Sequence, residues 1–254
     1  MPAQRFGDPI PLSRREPLLK QLAFEVDAHY GLVGAGPTQF TDDIRFGLFD
    51  WWELRTSLAP YPASLMSRFK IGSHNSALGA FVLDGGLANF DAGFRLVPQA
   101  GEPPVGLRGT FEVGAAYSRA IDSAFALYLS ARWRYRLSAL SNDAQNAIGA
   151  DGHLTWDIMK NFSAAAGIGY SRIVAGEVRE LAINFVEPGQ PGLSHFLIRI
   201  DGVKQSLTLP LSVTYGLIDS FDVDVFATPR LFPQLDVLFG AGIRWRVLDW
   251  TRPD

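Results

Sequence analysis

The sequence predicts an all-β fold, a single antiparallel β-barrel of about twelve strands closed within a membrane. Three observations predict it. First, one turn pattern recurs in GLFDWWEL (47–54), RAIDSAFAL (119–127), DIMKNFSAA (157–165) and GLIDSFDV (216–223), centred on Asp50, Asp122, Lys160/Asn161 and Asp219. Second, each turn carries an aromatic just after it (Trp52, Phe125, Phe162, Phe221) and another shortly before it (Phe46, Tyr117, Trp156, Tyr215). Aromatics repeated at one level of successive hairpins suit a membrane–water interface. Third, apolar and polar residues alternate between the turns, with the period of two that a strand imposes.

The strands follow in order. The alternation places them at 20–32, 40–49, 52–59, 63–72, 77–97, 107–120, 124–138, 145–158, 162–174, 203–217, 221–229 and 234–248. Each is read against the span of ~9–11 residues that a tilted strand needs to cross a bilayer. In 125–137, Phe125, Leu127, Leu129, Ala131, Trp133 and Tyr135 oppose Tyr128, Ser130, Arg132, Arg134 and Arg136. In 235–247, Leu235, Val237, Phe239, Ala241, Ile243, Trp245 and Val247 oppose Asp236, Gly240, Gly242, Arg244 and Arg246. Two stretches break the pattern. Within 77–97 the alternation is clean only at 88–96, so 77–86 is either a kinked strand or an excursion around Gly85–Gly86. Within 175–203 the flanks of EPGQPG extend two strands as a long hairpin, or a turn at Asp201–Gly202 adds two strands and gives fourteen. Pro210 lies in mid-strand, where it removes a ladder hydrogen bond.

Alternation alone also fits a soluble sandwich or a lipocalin-like barrel. Those folds bury the apolar face in a shared core. Here nearly every strand carries the same wide apolar face, with aromatics only near its ends. That distribution reads as lipid outside and a charged lumen inside.

Composition narrows the function. Cys is 0, which removes disulfides, thiolate metal sites and Cys nucleophiles. A net charge of −3 gives no reason to expect a nucleic-acid partner. No stretch approaches the ~18 continuous apolar residues of a membrane helix. Residues 1–18 lack the apolar centre of a signal peptide. They are expected as a periplasmic N-terminal tail of a mature chain with Met1 added. Residues 19–250 are the barrel and 251–254 a C-terminal tail.

Asp-centred short turns, aromatic levels and the closing strand FGAGIRWRV make residues 20–250 similar to the bacterial outer-membrane β-barrel superfamily. The terminal aromatic usual there is displaced, since Trp250 is followed by TRPD. The resemblance implies the outer membrane and its lipid bilayer as surroundings. Members serve as pores, hydrolases, adhesins and scaffolds, so the fold does not choose among them.

The predicted lumen is rich in charge. Arg132, Arg134 and Arg136 form one ladder, with Asp151, His153, Thr155 and Asp157 on the next strand and Glu112 on the preceding one. Arg244 and Arg246 join Asp222 and Asp224, and meet Glu25, Asp27 and His29 across the barrel closure. Asp43, Arg45, Glu53, Arg55, Arg68 and Lys70 lie on strands two to four. Cross-strand ion pairs that fix register are the simplest use of such residues. A charged constriction is the functional use. Asp27/His29, Asp151/His153 and Asp222/Asp224 resemble the acid and Asp/His couples of outer-membrane proteases. Asp222 and Asp224 follow a short turn, however, whereas those sites lie at the outer rim, so no enzyme is expected. The His residues have no metal spacing such as HExxH, and no metal or cofactor is expected. His74 and His195 read as solvated. GAGP (34–37) reads as a loop; VPQAGEPPVG (97–106) and EPGQPG (187–192) are stiff loops that, like the tail, offer surfaces to envelope proteins.

The expected function is a narrow channel for small hydrophilic solutes. It leans towards anions because the arginine ladder faces small residues such as Gly167, Gly169, Ser212 and Thr214. The alternative is a structural barrel in an envelope machine, its lumen closed by ion pairs.

Overall fold

Antiparallel neighbours join strand to strand in sequence order around a closed wall. The computed structural model describes residues 12–33, 38–57, 64–94, 105–138, 145–175, 181–185, 196–200, 205–218, 220–232 and 235–247. The strands are β1 (Phe24–Val33), β2 (Thr38–Phe49), β3 (Trp52–Ser57), β4 (Ser64–Gly72), β5 (Ala80–Phe94), β6 (Val105–Ala120), β7 (Phe125–Ser138), β8 (Gln145–Met159), β9 (Phe162–Ala175), β10 (Leu181–Phe185), β11 (Phe196–Ile200), β12 (Gln205–Thr208), β13 (Leu211–Ile218), β14 (Phe221–Phe232) and β15 (Asp236–Val247). Pairing of β15 with both β14 and β1 closes the sheet, so the barrel has no free edge.

The count resolves to twelve barrel strands, because β12 and β13 are two parts of one strand. Both pair with β9 and with β14. Pro210 splits them, since it has no N–H to give the ladder. Its carbonyl still accepts from Gly167 N–H at 2.9 Å. The fourteen-strand alternative does not occur, because β10 and β11 pair with each other as a separate hairpin. The stretch 80–94 is one strand, so 80–86 belongs to the wall and is no excursion, and its pairing with β6 shifts register between Ala88 and Asp91.

Connections are short at one end: Asp50–Trp51, 73–79, 121–124, Lys160–Asn161 and 219–220. Asp122 shapes its turn by accepting from Ala124 and Phe125 N–H groups at 2.7 and 2.8 Å. The loops 34–37, 97–104 and 187–192, His195 and both chain ends (1–11 and 248–254) lie outside the described residues.

The packing is inside out relative to a soluble protein. Glu25, Asp27, Asp43, Arg45, Glu53, Arg68, Glu112, Asp222 and Arg244 are buried, while Leu83, Val113, Leu129, Ile168, Val225, Phe239 and Ile243 are exposed. Near the short-turn end the outward aromatics pair across strands. Trp52–Phe69, Phe81–Tyr117 and Phe125–Trp156 have ring centroids 5.7, 5.0 and 5.9 Å apart. The register sets Tyr215 beside Phe162, Phe221 beside Trp245 and Phe24 beside Phe46 at the same level.

Candidate pore lumen

The two-residue period sends every second side chain of each strand inwards, and register decides which charges meet. One chain of pairs runs across the closure. Arg246 Nε donates to Glu25 at 2.9 Å, and Arg45 donates to Glu25 and Glu53 at 2.7 Å each. Arg68 completes it by donating to Glu53 at 2.9 Å. Arg55 donates to Asp43 at 2.6 Å.

On the opposite part of the wall, Arg134 donates to Glu112, its direct cross-strand neighbour, at 2.8 Å. Arg132 donates to the same Glu112 at 2.6 Å and to Asp84 at 3.1 Å. Asp84 is two strands away, and the residue between them in the register is Gly114. A Cβ at Gly114 would collide with Asp84 and approach Arg132 Cγ to 3.0 Å, so the missing side chain is what lets the pair form. The side chain of Arg136 lies outside the described residues. Asp151 accepts from Ser130 at 2.6 Å. His153 is buried and stacks on Tyr128 with centroids 4.9 Å apart.

Arg244 donates to Asp27 at 2.9 Å. His29 Nε2 lies 3.2 Å from both Asp27 Oδ1 and Asp224 Oδ1. Asp222 faces a partner from outside the barrel wall, Arg15.

Arg15 belongs to a segment that fills the short-turn mouth. Leu12, Ser13, Arg15, Pro17, Leu18 and Leu19 are all buried. Residues Leu12–Arg14 form a single 3-10 turn. Ser13 N–H donates to Asp157 at 3.1 Å, and its hydroxyl also bonds Asp157. Arg15 makes a two-pronged bond to Asp222, one arm at 2.9 Å. The Pro17 carbonyl accepts from Arg45 at 2.8 Å, and Leu19 N–H donates to Glu53 at 2.8 Å. Tyr128 donates to the Leu12 and Arg15 carbonyls at 3.4 Å. Leu18 packs on an apolar patch of the inner wall, Val82 and Ala116. These anchors come from β2, β3, β5, β6, β7, β8 and β14, so the segment crosses the bore rather than lining one side. Residues 12–18 of the expected tail are therefore packed into the barrel end.

Glu16 and His74 secure the same segment from the turn 73–79. Glu16 accepts from Ser73 Oγ at 2.6 Å, Lys70 Nζ at 2.9 Å and His74 N–H at 3.2 Å. Burial raises the Glu16 carboxyl, but the Ser73 and Lys70 hydrogen bonds and the Lys70 charge outweigh it and hold the group below its usual value. His74 corrects the sequence reading, which left it solvated: it is fully buried. Its Nε2 bonds the Ser13 carbonyl at 2.8 Å and its ring stacks on Tyr128 at 5.2 Å. The carbonyl requires a proton on Nε2, and buried Nδ1 has no hydrogen-bond partner. A second proton would bury an unsatisfied donor, so burial lowers the His74 pKa.

Sequence reasoning found the closure cluster and Glu112, but not Ser13, Arg15, Glu16, Asp84 or Tyr128 as lumen partners. The available signal was Leu12, Leu18 and Leu19 flanking the charged run Arg14–Arg15–Glu16.

No protein-family model matches the chain, and no curated protein sequence matches it. Solved structures do. An outer-membrane channel from Pseudomonas putida F1 is 11% identical, with a TM-score of 0.58 over 90% of this chain and 97% of that one. The NanC porin is 9% identical, with a TM-score of 0.54 over 87% of this chain and 100% of that one. The KdgM porin, in complex with disordered oligogalacturonate, is 7% identical, with a TM-score of 0.50 over 87% of this chain and 98% of that one. By fold, then, this chain is a closed antiparallel β-barrel similar to those of outer-membrane porins and channels. At these identities the likeness establishes architecture alone.

Proposed function

We propose that the protein is a narrow bacterial outer-membrane channel for small hydrophilic solutes, with its periplasmic mouth held shut by residues 12–19. The observation that carries this is a polar, ion-paired interior enclosed by an apolar exterior and crossed at one end by the chain's own segment. A lumen of acids, bases and hydroxyls offers a solute replacements for its hydration shell. The porins and the channel it resembles span nearly the whole chain, which supports the same use. Short turns, with the start of β1 and the end of β15 at the same mouth, support a periplasmic position for the plugged end.

The arginine ladder supports less anion preference than its sequence implies. Glu112 and Asp84 neutralise Arg132 and Arg134, and Asp43 neutralises Arg55. Weak charge selectivity is the reading these pairs favour. The same pairing lends some support to a structural barrel in an envelope machine.

Planar-bilayer recording separates the two readings. The native barrel should conduct weakly or intermittently. A chain lacking residues 1–18, and a full-length Arg15→Ala/Glu16→Ala variant, should conduct more and more steadily. Silence from all three would reject the channel and favour the structural barrel.

A further inference from the structure

We propose that Asp27, His29 and Asp224 form a binding site for a divalent transition-metal ion of the Zn2+ class, set in the wall where the barrel closes. The register builds the site. His29 of β1, Gly242 of β15 and Asp224 of β14 stand in one row across three strands. A Cβ at Gly242 would collide with the His29 ring and lie 2.8 Å from Asp224 Oδ1. Glycine there clears the space in which the imidazole of β1 reaches the carboxylate of β14. One row along, Arg244 takes Asp27 Oδ2 at 2.9 Å and turns Oδ1 towards His29.

The result is one imidazole nitrogen and two carboxylate oxygens, all buried and all within 4.8 Å of one another. His29 Nε2 lies 3.2 Å from each oxygen. Two ligands held at about 2.0–2.1 Å on a tetrahedral ion stand about 3.3–3.4 Å apart, close to that spacing.

An independent observation points to a ligand. Asp27 Oδ1 is buried and accepts no hydrogen bond. A single N–H on Nε2 cannot serve two oxygens in line, so a proton leaves one carboxylate oxygen wanting. An ion on the Nε2 lone pair engages all three atoms together. The charges around it agree. Asp27, Asp222 and Asp224 outnumber the guanidiniums of Arg15 and Arg244, which leaves negative charge in excess. The imidazole nitrogen in the donor set favours zinc and its transition-metal neighbours over calcium or magnesium. Sequence spacing cannot reveal such a site, because its donors lie 195 residues apart and meet only when β14, β15 and β1 pair.

The test is metal uptake by the folded, chelator-stripped barrel in detergent. Calorimetric titration with Zn2+ should show about one site. Titration with Co2+ should give the intense visible bands of a low-coordinate ion. His29→Gln and Asp224→Asn should each abolish the site, while His153→Gln on β8 keeps it. The Co2+ spectrum of the unaltered barrel stands even if a variant fails to fold. No uptake by the unaltered protein at millimolar Zn2+ would overturn the proposal and leave a protonated His29 bridging the carboxylates. Uptake that survives both substitutions would overturn it equally.

Discussion

Glu53 shows what one residue does in a closed lumen. It is fully buried and accepts from Arg45, Arg68 and the Leu19 N–H, so it ties β2, β4 and the N-terminal segment together. Glu53→Gln removes the charge that two buried guanidiniums share. Breaking a buried pair from one side costs about 3–5 kcal/mol. Denaturant unfolding from lipid vesicles should show that loss; a cost near zero would mean that water already solvates the arginines. Glu112 makes the electrostatic counterpart. Glu112→Gln removes one negative charge from beside Arg132 and Arg134 and leaves the Asp84–Arg132 pair in place, so the reversal potential in a salt gradient should shift towards anions, less so at high salt. An unchanged potential would place the constriction elsewhere. Of these partners the sequence revealed Glu112, because it is Arg134's neighbour on the preceding strand. It hid Asp84, because alternation says nothing of a pair that forms over a glycine two strands away.

At the scale of an element, the N-terminal segment is the part that sequence reasoning placed least well. Apart from the Val82–Ala116 patch under Leu18, its partners among the described residues are polar wall groups, and three leucines in a charged stretch do not make a period. The segment's pH dependence follows from its two titrating anchors beside Lys70, Arg15 and Asp157. His74 has a lowered pKa, so its contribution is complete above about 6.5 and fades as pH falls below that value. Glu16 also has a lowered pKa, so its contribution is complete above about 4.3 and is lost below, as pH falls through the depressed value. Both signs agree: acid loosens the segment, in two stages with histidine first. The chain has no cysteine, so Leu18→Cys gives one reporter. Maleimide labelling of the folded barrel should be slow at neutral pH and accelerate in those two stages. A rate that follows only the ordinary thiolate dependence, slowing steadily towards acid, would sink the scheme.

For the whole molecule, alternation with period two placed most of the barrel strands but left twelve and fourteen both open, because an apolar face and a charged face give each strand a single acceptable orientation without fixing the strand count. What it could not place were breaks caused by backbone chemistry: the split at Pro210 and the shift between Ala88 and Asp91. The same inside-out logic fixes a last prediction. Leu129 is 43% exposed on β7, midway between the girdle residue Phe125 and Trp133, while its neighbour Ser130 faces the lumen. An arginine at the hydrocarbon midplane costs about 2–4 kcal/mol, and one near the interface about 0–1 kcal/mol. Leu129→Arg should therefore destabilise the barrel in vesicles by the larger amount, and Phe125→Arg, corrected for its lost stacking on Trp156, by far less. On a soluble barrel both positions would sit in water, and charge would cost little at either. Equal, small costs at 125 and 129 would remove the lipid from around the apolar face, and with it the channel.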